Sequence, residues 1–473
     1  MEVIFVDENT KIIDELMRKA QKAQKQIEYY TQEQIDEVCL AIGWEVYKDD
    51  NIQKLAEMAV EETGMGIVEH KFTKHKVKVM GVLKDIKGAK SVGLIEKNEK
   101  KGICKYAKPV GVVGALIPVT NPTATPASNA ISILKGRNAV IFAPHPKGKI
   151  SSKMAIDFMR EGLKKVGAPE DLVQIIEEPS IELTKELMKA VDLVVATGGS
   201  AMVKAAYSSG TPSYGVGPGN SVQIIAEDAD VKDAVHKVAI SKCFDNATSC
   251  SSENSIIVHE SIYNEVLKEM KKNNGYLCSE KDRESLQDWM WVPNRKGYIS
   301  LNAKIVAQSA NKIAKDAGLS VPASTNMLIV EGKMPVEEDR FSEEKLSPVL
   351  TIWKYSTFDE GLDILKRLTT VAGTGHSCGI HTYNEEYIEK LALEMKSSRI
   401  IIRQPQASAN GGNFFNGMPS TVTLGCGTWG GNVTTENINY KHFMNITWVS
   451  VPITPVKPSD EEMWEDFWTK YGK

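Results

Sequence analysis

The sequence predicts an α/β protein with two domains built on parallel β-sheets and one small additional β element. The chain has 473 residues, and a single hydrophobic core stops growing near about 250–300 residues. From residue 111 onward, short apolar runs alternate with helical patterns. Runs that are apolar throughout are typical of parallel strands covered by helices on both faces. These observations together favour two α/β units.

The composition limits the functions that the chain can have. Apolar residues make up 42% and charged residues 25%, and the formal net charge is −4. No domain-scale basic surface for nucleic acid is implied, and no apolar run approaches the ~18–20 residues of a membrane span. The N-terminus, MEVIFVDENTK, lacks the basic start of a signal peptide. We therefore expect a cytoplasmic protein that binds neither nucleic acid nor membrane.

The first half of the chain predicts helices, then a hairpin, then a sheet. Two amphipathic helices are expected in IIDELMRKAQKAQKQI and IQKLAEMAVEE. Two apolar runs flank the charged turn EKNEKK, which predicts a protruding hairpin at 90–108. The strand runs that follow are GVVGALIPV, NAVIFAP, LVQIIEE, VDLVVAT and SVQIIAE. We assign 1–240 to a cofactor-binding domain, with the hairpin as part of an oligomerisation element.

The second half repeats the alternation. Its strand runs are SIIVHE, NMLIVEG, LSPVLTIWKY, CGIHTY and SRIIIRQP. We assign 241–425 to a second domain, and 426–473 to a return segment with a C-terminal strand, HFMNITWVSVPITP, and an acidic-aromatic tail. Exposed strand edges invite pairing with another chain, so a homodimer or homotetramer is expected.

Three glycine-rich turns follow strands in the first half: IPVTNPT (117–123), ATGGS (196–200) and GVGPGN (215–220). Such turns lie at the carboxyl edge of a parallel sheet, where open α/β proteins bind ligands. ATGGS precedes a predicted helix, so its amides could meet a phosphate. No complete G-x-G-x-x-G fingerprint is present, and each turn alone fits a tight turn that needs glycine equally well.

One of the seven cysteines has a setting suited to chemistry. Cys250 lies in FDNATSCSSEN, a hydroxyl-rich segment between the two predicted domains, where a cleft is expected. Cys243, Cys378 and Cys426 fit packing or turn positions better. No CxxC pair occurs, so neither disulfide nor metal site is predicted. Composition and position alone leave open that Cys250 is an ordinary small buried residue.

Seven phrases, taken in order, carry a resemblance to a known family. They are IPVTNPTATP, KGRNAVIFAPHPK, ATGGSAMVKAAYSSGTPSYGVGPGNS, FDNATSCSSEN, EKLSPVL, GTGHSCGIHT and TLGCGTWGGN. Up to about residue 450 the chain resembles the CoA-acylating aldehyde dehydrogenases of the aldehyde dehydrogenase superfamily. The resemblance is closest to members that act on short anionic aldehydes, sulfoacetaldehyde and succinate semialdehyde.

The resemblance implies a mechanism and its catalytic residues. Cys250 matches the nucleophile that forms a thiohemiacetal and then a thioester, from which CoA takes the acyl group. Asn121 matches the side chain that stabilises the oxyanion together with the backbone N–H of Cys250. His376 matches a histidine that could assist proton movement or CoA entry, although a histidine beside glycines could also simply order a loop. Glu344 matches the glutamate that holds the nicotinamide ribose, where the alternative is a solvated glutamate.

The resemblance also implies a dinucleotide cofactor, NADP or NAD. Its contacts are expected from Thr120, His145, Pro146, Lys147, Thr197, Gly198, Gly199, Ser200, Gly217, Pro218, Gly219 and Glu344. Many NAD-specific members carry a lysine, and a glutamate three residues later, at the adenosine ribose; here Ala143 and Pro146 stand there. Without that carboxylate a 2′-phosphate is not repelled, and Lys147 and Lys149 could attract it.

Two further residues bear on the reaction. Hydrolytic members carry a water-activating glutamate in an ELGGKSP-like phrase, whereas this chain reads GVGPGNS with Val216 near that place. This favours acyl transfer to CoA over hydrolysis. Arg403 ends SRIIIRQPQ and offers a planar fork of donors for a sulfonate or carboxylate, unless it is a solvated strand-end arginine.

The predicted function is therefore oxidation of sulfoacetaldehyde to its CoA thioester. The alternatives are an acylating succinate semialdehyde dehydrogenase, a hydrolytic aldehyde dehydrogenase, and a non-catalytic nucleotide-binding protein on the same fold. The presence of Cys250, Asn121 and Glu344 together argues against the last alternative.

Overall fold

The computed structural model describes residues 8–294 and 296–473, apart from the side chain of Ser200. Its helices are α1 (Glu8–Ile27), α2 (Gln32–Glu45), α3 (Asp49–Thr63), α4 (Val68–Ile86), α5 (Ala124–Lys135), α6 (Lys149–Lys165), α7 (Ile181–Ala190), α8 (Ser200–Tyr207), α9 (Val231–Cys243), α10 (Tyr263–Lys272), α11 (Glu280–Met290), α12 (Ala310–Asp316), α13 (Phe358–Val371), α14 (Glu385–Glu394), α15 (Gln406–Ala409) and α16 (Asp460–Tyr471). Within these ranges, no helix combines the length and apolar character needed to cross a membrane.

The strands of the same ranges are β1 (Gly93–Asn98), β2 (Ile103–Pro109), β3 (Val112–Ile117), β4 (Ala139–Pro144), β5 (Val173–Ile175), β6 (Leu193–Thr197), β7 (Ser213–Val216), β8 (Ser221–Ile225), β9 (Glu253–His259), β10 (Gly275–Leu277), β11 (Trp291–Pro293), β12 (Ile299–Leu301), β13 (Met327–Glu331), β14 (Val349–Tyr355), β15 (Cys378–His381), β16 (Ile400–Ile402) and β17 (Met444–Ser450). They form a five-stranded, a seven-stranded, a three-stranded and a two-stranded sheet. The predicted α/β class with parallel-sheet cores is confirmed.

The first sheet has five parallel strands in the order β5-β4-β3-β6-β7. Every residue of β3 and β4 is buried, which explains why these strands read as continuous apolar runs. The two amphipathic helices expected from the sequence are α1, which packs against strands of this sheet, and α3, which packs against the helices α4 and α6.

The second sheet has seven parallel strands in the order β10-β13-β14-β9-β8-β15-β16. Strand β8 pairs here with β9 and β15, although the predicted limits of 1–240 and 241–425 group it with the first sheet. An apolar strand run shows that a strand is buried, but it does not show which sheet accepts it. The domain limits themselves stay a prediction.

The third sheet is antiparallel and joins distant parts of the chain. The hairpin β1–β2 pairs with β17 in the order β1-β2-β17, so the predicted hairpin and C-terminal strand are both confirmed. From Asn445 onward every residue of β17 is exposed.

The short connection between β7 and β8 brings two sheet edges together. Only residues 217–220 separate the carboxyl end of β7 from the amino end of β8. The carboxyl edge of the first sheet therefore faces the amino edge of the second. Side chains that follow strands in the first sheet and precede strands in the second meet at this junction.

Candidate active site

Cys250 lies in a tightly bent loop just before β9. We call residues 244–252 the Cys250 loop. Three consecutive residues in it, Asp245, Asn246 and Ala247, have positive φ values of 53°, 52° and 58°. A left-handed backbone at Ala247 is costly and persists only where surrounding contacts enforce it.

The buried Asp245 carboxylate supplies those contacts. It accepts hydrogen bonds from the backbone N–H of Ile67 at 2.9 Å, from Lys71 Nζ at 3.2 Å and from Lys74 Nζ at 2.6 Å. Burial would raise its pKa, but the two ammonium groups outweigh burial and lower the pKa to about 2. The ion pairs fix the Cys250 loop to α4.

Lys71 also connects the Cys250 loop to the turn after β3. Its Nζ donates to the carbonyl of Thr120 at 3.3 Å, next to the predicted oxyanion residue Asn121. Asn121 is half-buried, and its backbone N–H donates to Pro118 O at 3.3 Å. The structure thus ties the turn that carries Asn121 to the loop that carries Cys250. The role of the Asn121 side chain stays a prediction.

His376 is in direct contact with Cys250. Its Nε2 lies 3.2 Å from Cys250 Sγ, and its Nδ1 lies 2.8 Å from Ser377 Oγ. Burial, reinforced by the charge of Arg399, lowers the pKa of His376 to about 3. Burial, reinforced by the Glu344 carboxylate, raises the pKa of the Cys250 thiol to about 12. At neutral pH the resting pair is therefore an uncharged thiol and an uncharged imidazole.

Glu344 and Gly219 complete the surroundings of Cys250. The N–H of Gly219 donates to Glu344 Oε1 at 3.2 Å, and burial raises the pKa of this carboxyl to about 8. A Cβ at position 219 would lie 2.1 Å from the Cys250 carbonyl oxygen, so only glycine fits there. A small cavity beside them is lined by Asn220, Ser221, Lys242, Ala247, Ser249, Cys250, Ser252, Asn254, Glu344 and Leu346.

The predicted phosphate turn after β6 is open at its tip. Helix α8 begins at Ser200, and none of the described side chains caps its first amides. A Cβ added at Gly199 would meet no atom within 4 Å. Thr197 is anchored by a hydroxyl contact of 3.0 Å with Thr423. Free amides at a helix N-terminus and open space above them suit a dinucleotide phosphate.

The residues after β4 form a second exposed turn at the same edge. The N–H of Lys147 donates to His145 Nδ1 at 3.1 Å, and both residues and Pro146 are exposed. Lys149 forms an ion pair with Glu178. A carboxylate from after β5 therefore comes close to this turn, although no carboxylate adjoins it in sequence. Lys149 is already neutralised, which leaves Lys147 as the stronger candidate of the two for a 2′-phosphate.

Arg403 lies at a different edge of the second sheet from Cys250, and its predicted contact with the substrate anion stays a prediction. It follows β16 at the carboxyl edge of the second sheet, whereas Cys250 precedes β9 at the amino edge. Its guanidinium donates to Thr382 O and lies 4.5 Å from the Tyr383 ring centroid. The cavity that it lines is formed by Ala229, Asp230, Asp233, His381, Thr382, Tyr383 and Arg403. None of these residues lines the cavity beside Cys250.

Three residues at the same edge as Cys250 were not predicted from the sequence: Arg399, Ser377 and Ser221. Arg399 immediately precedes β16, is buried, and donates to the carbonyl of His376 at 2.9 Å. Ser377 precedes β15 and Ser221 begins β8, and their hydroxyls lie 2.7 Å apart. All three stand at strand beginnings, and that shared position was the available signal.

Comparisons with known proteins show the family to which the chain belongs. The profile of the aldehyde dehydrogenase family matches residues 5–442. The chain is 65% identical over 451 residues to a sulfoacetaldehyde dehydrogenase of Acholeplasma sp., covering 95% of this chain and 93% of that protein. It is 60% identical over 463 residues to an acylating sulfoacetaldehyde dehydrogenase of Bilophila wadsworthia, covering 98% and 100%.

A solved structure is similar in fold across nearly the whole chain. The crystal structure of an acetylating aldehyde dehydrogenase from Geobacillus thermoglucosidasius matches with a TM-score of 0.91 and 35% identity, covering 96% of this chain and 99% of that one. The family match, the close relatives and the shared fold lead to one conclusion. The chain belongs to the aldehyde dehydrogenase family.

Proposed function

We propose that the protein catalyses the CoA-acylating oxidation of sulfoacetaldehyde to sulfoacetyl-CoA, with NADP or NAD as the hydride acceptor. The observation that carries the proposal is the 3.2 Å contact between Cys250 Sγ and His376 Nε2 at the junction of the two parallel sheets. It provides a nucleophile and an adjacent proton acceptor where a cofactor-binding edge meets a thiol. The similarity to acylating sulfoacetaldehyde dehydrogenases supports the choice of substrate.

The residues act in sequence on the aldehyde. His376 accepts the thiol proton, and the thiolate of Cys250 attacks the carbonyl carbon to form a thiohemiacetal. The Asn121 amide and the Cys250 backbone N–H donate to the oxyanion. A bound dinucleotide would supply the hydride acceptor for the thiohemiacetal carbon that Cys250 holds. The acyl group then remains on Cys250 as a thioester, until the CoA thiol attacks it and Cys250 leaves as thiolate.

Acyl transfer is favoured over hydrolysis because the groups near Cys250 are poorly suited to activate water. Val216 is buried at the end of β7, where hydrolytic members carry a glutamate. Glu344 lines the same cavity as Cys250, but burial raises its pKa to about 8. A carboxyl that is largely protonated at neutral pH is a poor base for activating water. The thioester can therefore persist until CoA arrives.

The cofactor fits the carboxyl edge of the first sheet. The uncapped amides of α8 and the open space at Gly199 suit its phosphates. We assign further contacts to the turns at 145–147 and 217–219, and the nicotinamide ribose to Glu344. In this proposal the five-stranded sheet belongs to the cofactor-binding domain and the seven-stranded sheet to the catalytic domain.

The assembly and location follow from the same proposal. The exposed strand β17 leaves one edge of the three-stranded sheet open for another subunit, so we propose a homodimer or homotetramer in the cytoplasm. Sedimentation of the dilute protein tests the assembly. A monomer at working concentration would contradict it.

A substrate panel tests the reaction. Sulfoacetaldehyde, succinate semialdehyde and propanal are each supplied with NADP or NAD, with and without CoA, and reduced cofactor is followed by absorbance. We expect sustained turnover only with CoA, and the highest kcat/KM for sulfoacetaldehyde. Sustained turnover without CoA would identify a hydrolytic enzyme. A preference for succinate semialdehyde would move the assignment to that substrate.

A further inference from the structure

We propose that Ser377 and Ser221 are positioning residues that form a proton relay from His376 to the cavity beside Cys250. This inference deepens the proposed function and rests on it, because it assigns the path by which the thiol proton leaves. Neither serine touches the reacting atoms, and each acts through the imidazole.

The relay is continuous in the structure. Cys250 Sγ lies 3.2 Å from His376 Nε2, and His376 Nδ1 lies 2.8 Å from Ser377 Oγ. Ser377 Oγ lies 2.7 Å from Ser221 Oγ, and Ser221 lines the cavity that Cys250 also lines. Each separation is within hydrogen-bond range. A chain of three contacts therefore joins the thiol to the cavity.

Strand register holds the two serines together. Strands β8 and β15 are parallel neighbours in which Val222 is paired with Cys378. Ser221 and Ser377 are the residues immediately before that pair. Both are buried, so the contact between their hydroxyls is fixed by the sheet rather than by flexible side chains.

The electrostatics of the pair favour a relay over storage of the proton on His376. Burial lowers the pKa of His376 to about 3 and raises that of Cys250 to about 12. Transfer of the thiol proton to His376 to give a thiolate–imidazolium pair is therefore unfavourable in this buried setting. A neutral imidazole can accept a proton at one nitrogen without becoming charged only if it releases one from the other nitrogen.

The proton count balances along the chain. In the starting state His376 Nδ1–H donates to Ser377, Ser377 donates to Ser221, and the Nε2 lone pair faces the thiol. The thiol proton moves to Nε2, the Nδ1 proton to Ser377 Oγ, the former Ser377 proton to Ser221 Oγ, and the former Ser221 proton to water in the cavity. The S–H bond breaks, one proton leaves, and the imidazole ends neutral with its tautomer reversed.

The end state suits the reaction that follows. Nε2–H now donates to the thiolate of Cys250, which carries the single negative charge. After the relay resets, the same path can receive the proton of the CoA thiol as that thiol attacks the acyl group. One hydrogen-bonded chain thus serves both half-reactions.

The experiment replaces each serine and measures thiol reactivity without any substrate. Ser377→Ala, Ser221→Ala and Ser377→Thr are compared with the parent, and mass spectrometry follows alkylation of Cys250 by iodoacetamide at pH 7.5. Loss of a proton-transfer path costs roughly a hundredfold. We expect Ser377→Ala to lower the alkylation rate about a hundredfold and Ser221→Ala about tenfold. Ser377→Thr retains a hydroxyl and should restore most of the rate.

A matched control separates the relay from packing. Ser255 is buried in β9 with a hydroxyl that has no hydrogen-bond partner among the described residues. We expect Ser255→Ala to keep the parent alkylation rate. Turnover is also compared in H₂O and D₂O, because several protons in motion give a solvent isotope effect that Ser377→Ala should reduce.

The outcomes are distinct. An unchanged alkylation rate in Ser377→Ala, or equal losses in Ser377→Ala and Ser377→Thr, would overturn the relay. If Ser377→Ala does not fold, Ser221→Ala decides the question on the same two readouts. Failure of the proposed function looks different. The serine variants would show the expected differences in alkylation rate, but the parent protein would catalyse no CoA-dependent oxidation of any aldehyde.

Discussion

The two edges of the seven-stranded sheet differ in the burial and the hydrogen bonding of their polar side chains. At the amino edge, Cys250, His376 and Arg399 are joined by hydrogen bonds or close contacts, and His376 and Arg399 are buried. At the carboxyl edge, Asp228 is exposed, and the side chain of Arg403 makes one hydrogen bond and one ring contact. Open parallel sheets usually bind ligands at their carboxyl edge.

The exception has a structural cause. The four-residue connection from β7 to β8 sets the amino edge of the second sheet against the carboxyl edge of the first. In the proposed arrangement, the first sheet follows the usual rule and offers its strand ends to the cofactor. The second sheet must supply the thiol from the side that faces the cofactor, and that side is its amino edge.

Among the substitutions at the two edges, replacement of the Cys250 thiol should cause the largest loss of activity. We expect Cys250→Ala to reduce kcat at least roughly 10⁴-fold, because no other group can form the thioester. Cys243→Ala is the matched control, since Cys243 ends α9 with its thiol 3.5 Å from the carbonyl of Asn326. Cys426→Ala should also retain the chemistry. Near-normal turnover by the Cys250 variant would end the proposed mechanism.

Substitution of one aspartate at each edge compares how much the two edges contribute to the free energy of unfolding. Asp245→Asn leaves Lys71 and Lys74 without their buried partner and should cost about 3–5 kcal/mol of unfolding free energy. Asp228→Asn at the carboxyl edge alters an exposed carboxylate that accepts bonds from Thr382 and Tyr383, and should cost about 1 kcal/mol. Urea unfolding measures both. Equal losses would mean that the Lys–Asp cluster adds nothing to the amino edge.

Acidification should reduce the difference in unfolding free energy between the parent and Asp245→Asn. The pKa of Asp245 is held at about 2 in the folded protein, and an unfolded aspartate titrates near about 3.9. A lowered pKa stabilises the fold above pH ~4, and this stabilisation is lost as the pH falls toward ~2. The gap in unfolding free energy between the parent and Asp245→Asn should therefore shrink by about 2 kcal/mol over that range. A gap that does not change with pH would show that Asp245 is not held ionised.

Many features of the molecule were accessible from the sequence alone. Apolar runs located β3, β4, β9 and β14, and a charged turn between two apolar runs located the hairpin. The motifs also selected Cys250 and His376, which the structure brings into contact. These features are local, because strand burial and loop composition are written in neighbouring residues.

What the sequence could not provide depends on strand order. The run SRIIIRQPQ contains arginines on both sides of β16, and only the placement of the sheets shows that Arg399 lies at the same edge as Cys250 and bonds to His376, whereas Arg403 lies at the opposite edge. The contact between Ser221 and Ser377 likewise requires β8 and β15 to be neighbours. Residues 156 positions apart carry no sequence signal of such a pairing.

Arg403 provides the smallest expected effect and the sharpest test of the comparison. If the carboxyl edge takes no part in the chemistry, Arg403→Ala should change kcat/KM by less than about threefold, and equally for sulfoacetaldehyde and propanal. The variant loses one hydrogen bond and one cation–π contact at the surface, so its unfolding free energy should fall by about 1 kcal/mol. Arg399→Ala is the counterpart at the amino edge, and loss of its buried bonds should cost about 1.5–3 kcal/mol. A selective loss of more than about tenfold for sulfoacetaldehyde in Arg403→Ala would instead return Arg403 to the substrate site. It would also require the two edges to communicate through β15 and β16.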